Sequence, residues 1–217
     1  WCSPQIPVQQ TLKLVIRQIQ QTFTGVYEIT PSVGSAFFLR ASYLSLLTEE
    51  KLFAGAEFSD EEASDLLNAA IVYGAEFAAM TYLARAEHCR AGLERKLLKK
   101  GIEKSAVKKA LDYLELCGNL SDERFAGAWL RSRSIDHAEG RIRLAAELAS
   151  RGVDRIASKK ALDEFFSEKD ELEICRRAYK KCLLFKKDLD KIKASLVQKG
   201  FTLKQVGIVI SEENSYL

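Results

Sequence analysis

The stretch LLKKGI at residues 97–102 returns as LASRGV at 148–153 and as LVQKGF at 196–201. Each copy reads Leu, two variable positions, a basic residue, Gly, then an apolar residue. Gly101, Gly152 and Gly200 are 51 and 48 positions apart. A repeat of that length is one supersecondary unit, and neighbouring units share a core that none can bury alone.

Working outward from the glycines sets the unit's contents. Four and eight residues earlier stand Leu97 and Leu93, Leu148 and Leu144, and Leu196 and Ile192, an i, i+4 stripe on one helix. Ten residues later stand Leu111, Leu162 and Ile210, near the end of a second helical pattern. Glu103, Asp154 and Thr202 take the start of that helix; Asp and Thr cap well there, Glu poorly. A further helix precedes each stripe, at roughly 72–86, 122–136 and 170–185. Gly adopts the left-handed conformation that ends many helices, so the phrase reads first as a helix stop. The apolar residue after Gly then packs on the Leu three places inside the helix end. Lys100, Arg151 and Lys199 lie where the helix dipole is negative.

The N-terminal part is different. LKLVIR (12–17) alternates with period two, and VYEIT and AFFLR flank the turn signal PSVG (31–34). These predict a small hairpin or three-stranded piece that needs a helix to cover it. Helices begin at FSDEEASDLL, where Ser59 and Glu62 form a capping box. The expected class is mainly α: three tandem three-helix repeats after a small N-terminal β-hairpin segment. The expected divisions are 1–58 (β-rich), 59–118 (leading helix and first repeat), 119–167 (second repeat) and 168–217 (third repeat).

Composition narrows the function classes. The 217 residues are 47% hydrophobic and 29% charged, as in an ordinary globular protein. Residues 1–70 hold 4 Lys/Arg against 8 Asp/Glu, and residues 71–217 hold 29 against 22. The helical body is the basic part, which suits a polyanion or an acidic protein surface. Five Cys without a C-x-x-C, Cys175 and Cys182 being seven apart on one helical face, suggest free thiols in a reducing cytoplasm. No run of about 18 apolar residues suggests a membrane span, and WCSPQIPVQQ lacks the form of a secretory signal.

Neither His88 nor His137 has ligand-type neighbours at metal spacing, since adjacent His88 and Cys89 point to different helix faces. No nucleotide loop or nucleophile elbow occurs. Neither a metal, a cofactor nor an enzymatic activity is expected.

Basic side chains are the candidate site residues. They are Arg95 and Lys99; Lys108 and Lys109; Arg131, Arg133, Arg141, Arg143 and Arg151; Lys159 and Lys160; and Lys191 and Lys193. RRAYKK (176–181), Lys186 and Lys187 extend the third group. Each one alone is as well explained as a solvated face paired with Glu or Asp one turn away. Together they suggest a positive surface able to hold phosphates. Phe125, Ala128, Trp129 and Ser132 form a stripe read as core packing rather than base stacking.

YLARAEHCRAGLERKLLKKGI (82–102), GNLSDERFAGAWLRSRS (118–134) and GRIRLAAELASRGV (140–153) resemble the RecX family, regulators of the bacterial recombinase RecA. In the second stretch Gly118, Leu120, Asp122, Glu123, Phe125, Ala126 and Arg133 stand where that family's pattern has them. The likeness covers 72–166 well and 167–213 through the repeat. It departs at Gly92, inside a helix, and at Gly207 and Ile208, where the other repeats carry Lys-Lys.

The resemblance implies tandem three-helix repeats in an elongated, curved, basic array, a non-catalytic monomer that binds in the groove of a RecA–DNA filament. There it would limit filament growth, ATP hydrolysis and strand exchange, with single- or double-stranded DNA as an additional ligand. A stand-alone helical DNA- or RNA-binding module is the alternative from another class, and a structural adaptor is a third.

Overall fold

The computed structural model describes residues 14–185 and 188–214. Leu12 and Lys13 of the first expected strand, Cys2, and the lysines Lys186 and Lys187 lie outside the described residues. The chain packs as two compact units. One comprises the chain to Thr81 together with Leu97–Leu114; the other comprises Tyr82–Lys96 together with the chain from Glu115.

In the first unit, strands β1 (Leu14–Phe23), β2 (Val26–Pro31), β3 (Phe37–Arg40) and β4 (Glu57–Phe58) form an antiparallel sheet in the order β3-β2-β1-β4. Period-two alternation places Ile16, Ile29 and Leu39 at 1% exposure or less. Register brings Ile19, Ile29 and Phe37 side by side. β4 is the strand that no periodicity announced, because two residues carry no pattern.

Helix α1 (Asp60–Leu83) covers the sheet. Its N-terminus has the expected capping box: Glu62 N–H donates to Ser59 Oγ at 3.3 Å, and Ser59 N–H donates to the Glu62 carboxylate at 3.0 Å. The leading helix and the helix expected at 72–86 are one continuous element. Gly74 costs about 1 kcal/mol relative to Ala, and buried Ala69, Val72, Ala75 and Ala79 flank it on both sides. Leu66 and Ala69 face the sheet, and Val72 and Ala75 meet Ala106 and Ala110 of a later helix, α3 (Lys104–Leu116). By length and composition α1 resembles a membrane span, a third of which is buried, and its buried positions pack on the sheet and on α3.

Two buried carboxylates of α1 tie down the intervening chain. Asp65 accepts from the backbone N–H groups of Ser45, Leu46 and Leu47 at 2.9–3.1 Å. Glu76 takes the Arg40 guanidinium and the Tyr43 hydroxyl, and Arg40 also lies 4.6 Å from the Tyr113 ring centroid.

The remaining helices are α2 (Arg90–Lys99), α4 (Asp122–Asp136), α5 (Arg141–Arg151), α6 (Arg155–Ser167), α7 (Glu171–Leu183), α8 (Leu189–Gln198) and α9 (Leu203–Asn214), nine in all among the described residues. In the second unit α4, α5 and α6 enclose Ala126, Leu130, Leu144, Leu148, Leu162 and Phe165. Helices α7, α8 and α9 enclose Cys175, Tyr179, Ile192, Leu196, Phe201, Val209 and Ile210. The apolar VGIVI segment of α9 therefore packs inward.

Helix starts follow the sequence. Asp154 caps α6 by accepting from Ile156 and Ala157 N–H, and Thr202 and Gln205 form a reciprocal pair at α9. Asp122 does more than stabilise the start of α4. Its carboxylate accepts from Arg90 N–H at 2.7 Å and Asp154 N–H at 2.8 Å, joining the start of α2 to the turn before α6.

All three phrase glycines have the expected left-handed backbone, with φ of +82° at Gly101, +82° at Gly152 and +90° at Gly200. The following N–H returns to the Leu carbonyl: Ile102 to Leu97, Val153 to Leu148 and Phe201 to Leu196, at 3.2–3.3 Å. Each Gly N–H bonds the carbonyl three residues back at 2.9 Å. This is the Schellman helix stop, made three times.

Two of these turns have a second role. A Cβ at Gly200 would lie 2.3 Å from the Arg143 backbone nitrogen, and one at Gly152 would lie 2.6 Å from the Ala91 side chain. The start of α5 thus rests on the end of α8, and the start of α2 rests on the end of α5. Gly140 completes the first contact: its N–H donates to the Lys199 carbonyl at 2.9 Å, and a Cβ there would strike the Gly200 carbonyl at 2.4 Å.

Candidate partner-binding surface

The helical body places most candidate cations on helix surfaces, and the fold already uses many of them. Arg95 donates to the Ala91 carbonyl at 3.2 Å and to the Arg151 carbonyl at 3.0 Å, closing the C-terminal end of α5. Arg133 makes a two-pronged pair with Glu139 at 2.8 and 3.0 Å. That hydrogen-bonded guanidinium, against the opposing effect of burial, holds the Glu139 carboxyl below the usual range.

Arg141 forks between Asp163 at 2.6 Å and Glu171 at 3.0 Å. Burial pushes its guanidinium down, and those two carboxylates more than reverse the effect. Arg143 and Arg151 share Glu147, at 2.9 and 2.7 Å. Glu147 is lowered chiefly by Arg151, then by Arg143 and Arg133, against a contribution from burial. Lys159 pairs with Asp163 and Lys160 with Glu123, at 2.7 and 2.8 Å. Lys191 and Lys193 make looser pairs with Asp188 and Asp190, at 3.7 and 3.5 Å.

Three of these arginines converge. The Arg151 and Arg133 guanidinia lie 4.6 and 5.8 Å from the Trp129 ring centroid, and both act on Glu147 together with Arg143. Trp129 and Phe125 are half-buried at the edge of the core formed by Ala126 and Leu130. Ser132, expected on the same stripe, lies at the surface end of it. The indole is therefore a packing platform with cations on it.

Lys99, Lys108, Lys109 and Arg131 are exposed and make no ion pair or side-chain hydrogen bond among the described residues. Lys109 lies near enough to Asp65 to lower that carboxyl slightly, after the backbone donors. Among the further cations that share this condition and were not singled out from the sequence are Lys104, Arg155 and Lys204. They stand three, three and four places after Gly101, Gly152 and Gly200, so each repeat presents an uncommitted cation just past its helix stop. Repeat register is the signal that finds them.

His88 and Cys89 face different surroundings. The His88 ring packs edge-on to Tyr82 and contacts Lys96 Nζ, and burial followed by Lys96 keeps its pKa below the ordinary value. The Cys89 thiol is buried against the Arg151 carbonyl at 3.6 Å. No group of three or more His, Cys, Asp or Glu side chains among the described residues is arranged to hold a metal ion.

Comparison with known proteins matches these helices to family patterns. Residues 77–114 match the first three-helix domain of RecX, and residues 121–162 match the second. The regulatory protein RecX of Treponema pallidum (strain Nichols) is 39% identical over 127 residues, covering 58% of this chain and 77% of that protein. RecX of Pelodictyon phaeoclathratiforme is 30% identical over 139 residues, covering 61% and 84%. A crystal structure of regulatory protein RecX superposes with a TM-score of 0.73 at 19% identity, over 91% of this chain and 99% of the other. RecX from Lactobacillus salivarius gives 0.58 at 22%, over 65% and 96%. These two structures share the fold.

Proposed function

The chain belongs to the RecX family of regulatory proteins, and from that premise we propose that it binds a RecA-type recombinase–DNA filament and restrains it. Binding would lower DNA-dependent ATP hydrolysis, filament extension and strand exchange, with the protein in the cytoplasm and acting in recombination and DNA repair. The observation that carries the reading is the match to RecX proteins across the first two three-helix repeats. The charge pattern supports it. Arg133, Arg141, Arg143 and Arg151 are paired within the fold, whereas Lys99, Lys104, Lys108, Arg131, Arg155 and Lys204 are exposed without an ion pair among the described residues, which would suit contacts to a partner. Several weak contacts presented on linked repeats add through effective concentration.

The test is the DNA-dependent ATPase of the cognate recombinase. Protein added below one copy per recombinase subunit is expected to lower the rate. An unchanged rate and unchanged strand exchange at saturating protein would refute the proposal. Tight binding to bare DNA with no effect on the recombinase would replace it with the nucleic-acid-binding module.

A further inference from the structure

A cavity of about 280 Å³ opens in the second unit between the end of α4, the end of α6 and the start of α7. Its floor is apolar, formed by Leu144, Phe165 and Ile174. Two cations meet at one wall residue. Lys169 Nζ donates to Ser134 Oγ at 2.9 Å, and Arg177 donates to the Ser134 carbonyl at 3.0 Å and the His137 carbonyl at 3.3 Å. Neither cation has a carboxylate partner among the described residues.

The other charges on the lining are already engaged. Arg133 and Glu139 satisfy each other, Asp170 accepts from Leu172 N–H at the start of α7, and Glu173 pairs with Arg176. Lys169 is half-buried and Arg177 exposed, and their printed hydrogen bonds go to neutral oxygens, so both keep their charge for an anion entering the cavity.

The lining also selects the body that carries the anion. Inorganic phosphate brings no carbon to the apolar floor. A nucleobase needs an open aromatic face, and the Phe165 ring is already covered by Lys169 Nζ, 4.3 Å from its centroid. The volume lies just below the range of about 300–1,000 Å³ usual for small-molecule sites, and suits one or two side chains. We propose that this cavity is an anchor pocket for a carboxylate side chain flanked by an apolar one, presented by a protein partner. The proposal stands apart from the recombinase reading, and its test contains no recombinase.

The test is an NMR titration of the isotope-labelled full chain with the capped peptides acetyl-Leu-Glu-Leu-amide and acetyl-Leu-Gln-Leu-amide. The Glu peptide should shift the Ser134, His137 and Lys169 amides saturably. The Gln peptide should bind about tenfold more weakly or worse, the loss that follows removal of one charge-assisted hydrogen bond. Lys169→Met keeps an unbranched chain over Phe165 and should abolish the preference for Glu. Arg177→Gln is the second variant and should weaken it. Equal response to the two peptides, no response to either, or shifts confined to other surfaces would overturn the proposal. So would oligothymidylate or inorganic phosphate shifting the same amides while the Glu peptide does not.

Discussion

Gly101, Gly152 and Gly200 share a backbone conformation but not a neighbourhood. An Ala Cβ at Gly101 would meet no atom within 4 Å, so Gly101→Ala should cost only the left-handed strain, about 1–2 kcal/mol. Gly200→Ala should cost about 1–3 kcal/mol more, because its Cβ would press on the Arg143 backbone, which cannot swing aside. Gly152→Ala should fall between them, since the obstacle is one methyl group of Ala91. Urea unfolding of the three variants checks the order, and equal losses would show that the close contacts carry no energy. The helix-stop role was legible from LLKKGI, because a left-handed residue is a local requirement. The role as a resting place for another helix was not, because Ala91, Gly140 and Arg143 are distant in sequence from the glycines they meet.

Elements in this protein are joined by carboxylates that accept backbone N–H groups across long loops. Asp122→Ala would strip the partners from Arg90 and Asp154 N–H, and a loss of about 2–4 kcal/mol is expected by thermal or chemical unfolding. From sequence Asp122 stands out as a position of the family pattern, and only the approach of α2 to the turn before α6 gives it its two backbone donors. Acid should act on such a contact and on the Arg133–Glu139 pair. At Asp65 burial pushes the carboxyl up, but the Leu46, Ser45 and Leu47 N–H groups together bring it below the ordinary value; Glu139 is lowered by Arg133. The unfolded chain therefore binds protons more readily than the folded one. The stability these groups contribute is complete above about pH 5 and is lost as pH falls through their folded pKa values. Asp65→Asn should flatten the acid limb of a stability–pH profile, whereas an unchanged limb would contradict the assignment. Thiol chemistry reads the same helices. Burial pushes the Cys175 thiol up to about 11, and Cys117 is exposed, so alkylation at neutral pH should reach Cys117 well before Cys175.

Across the whole molecule, charge divides between cations that hold the fold and cations left over. Replacing Lys104, Arg155 and Lys204 together by Ala should leave unfolding within about 0.5 kcal/mol of the parent, since none has a partner among the described residues. The same variant should bind the recombinase–DNA filament more weakly and with a shallower salt dependence. Arg133→Ala is the contrasting case, expected to lose stability because it leaves the largely buried Glu139 carboxylate unpaired. Filament co-sedimentation over a salt series, beside thermal melts, separates the two classes. Sequence by itself determined the three-helix repeat, its helix stops and caps, the N-terminal hairpin and the basic body. These follow from short-range periodicity and from the backbone preferences of Gly, Ser, Asp and Thr. Only the tertiary structure decided that α1 runs unbroken, that β4 closes the sheet, and which basic residues are spent on Glu139, Glu147, Asp163 and Glu171. Those outcomes depend on residues distant in the chain coming within hydrogen-bond reach, and no local pattern encodes that distance.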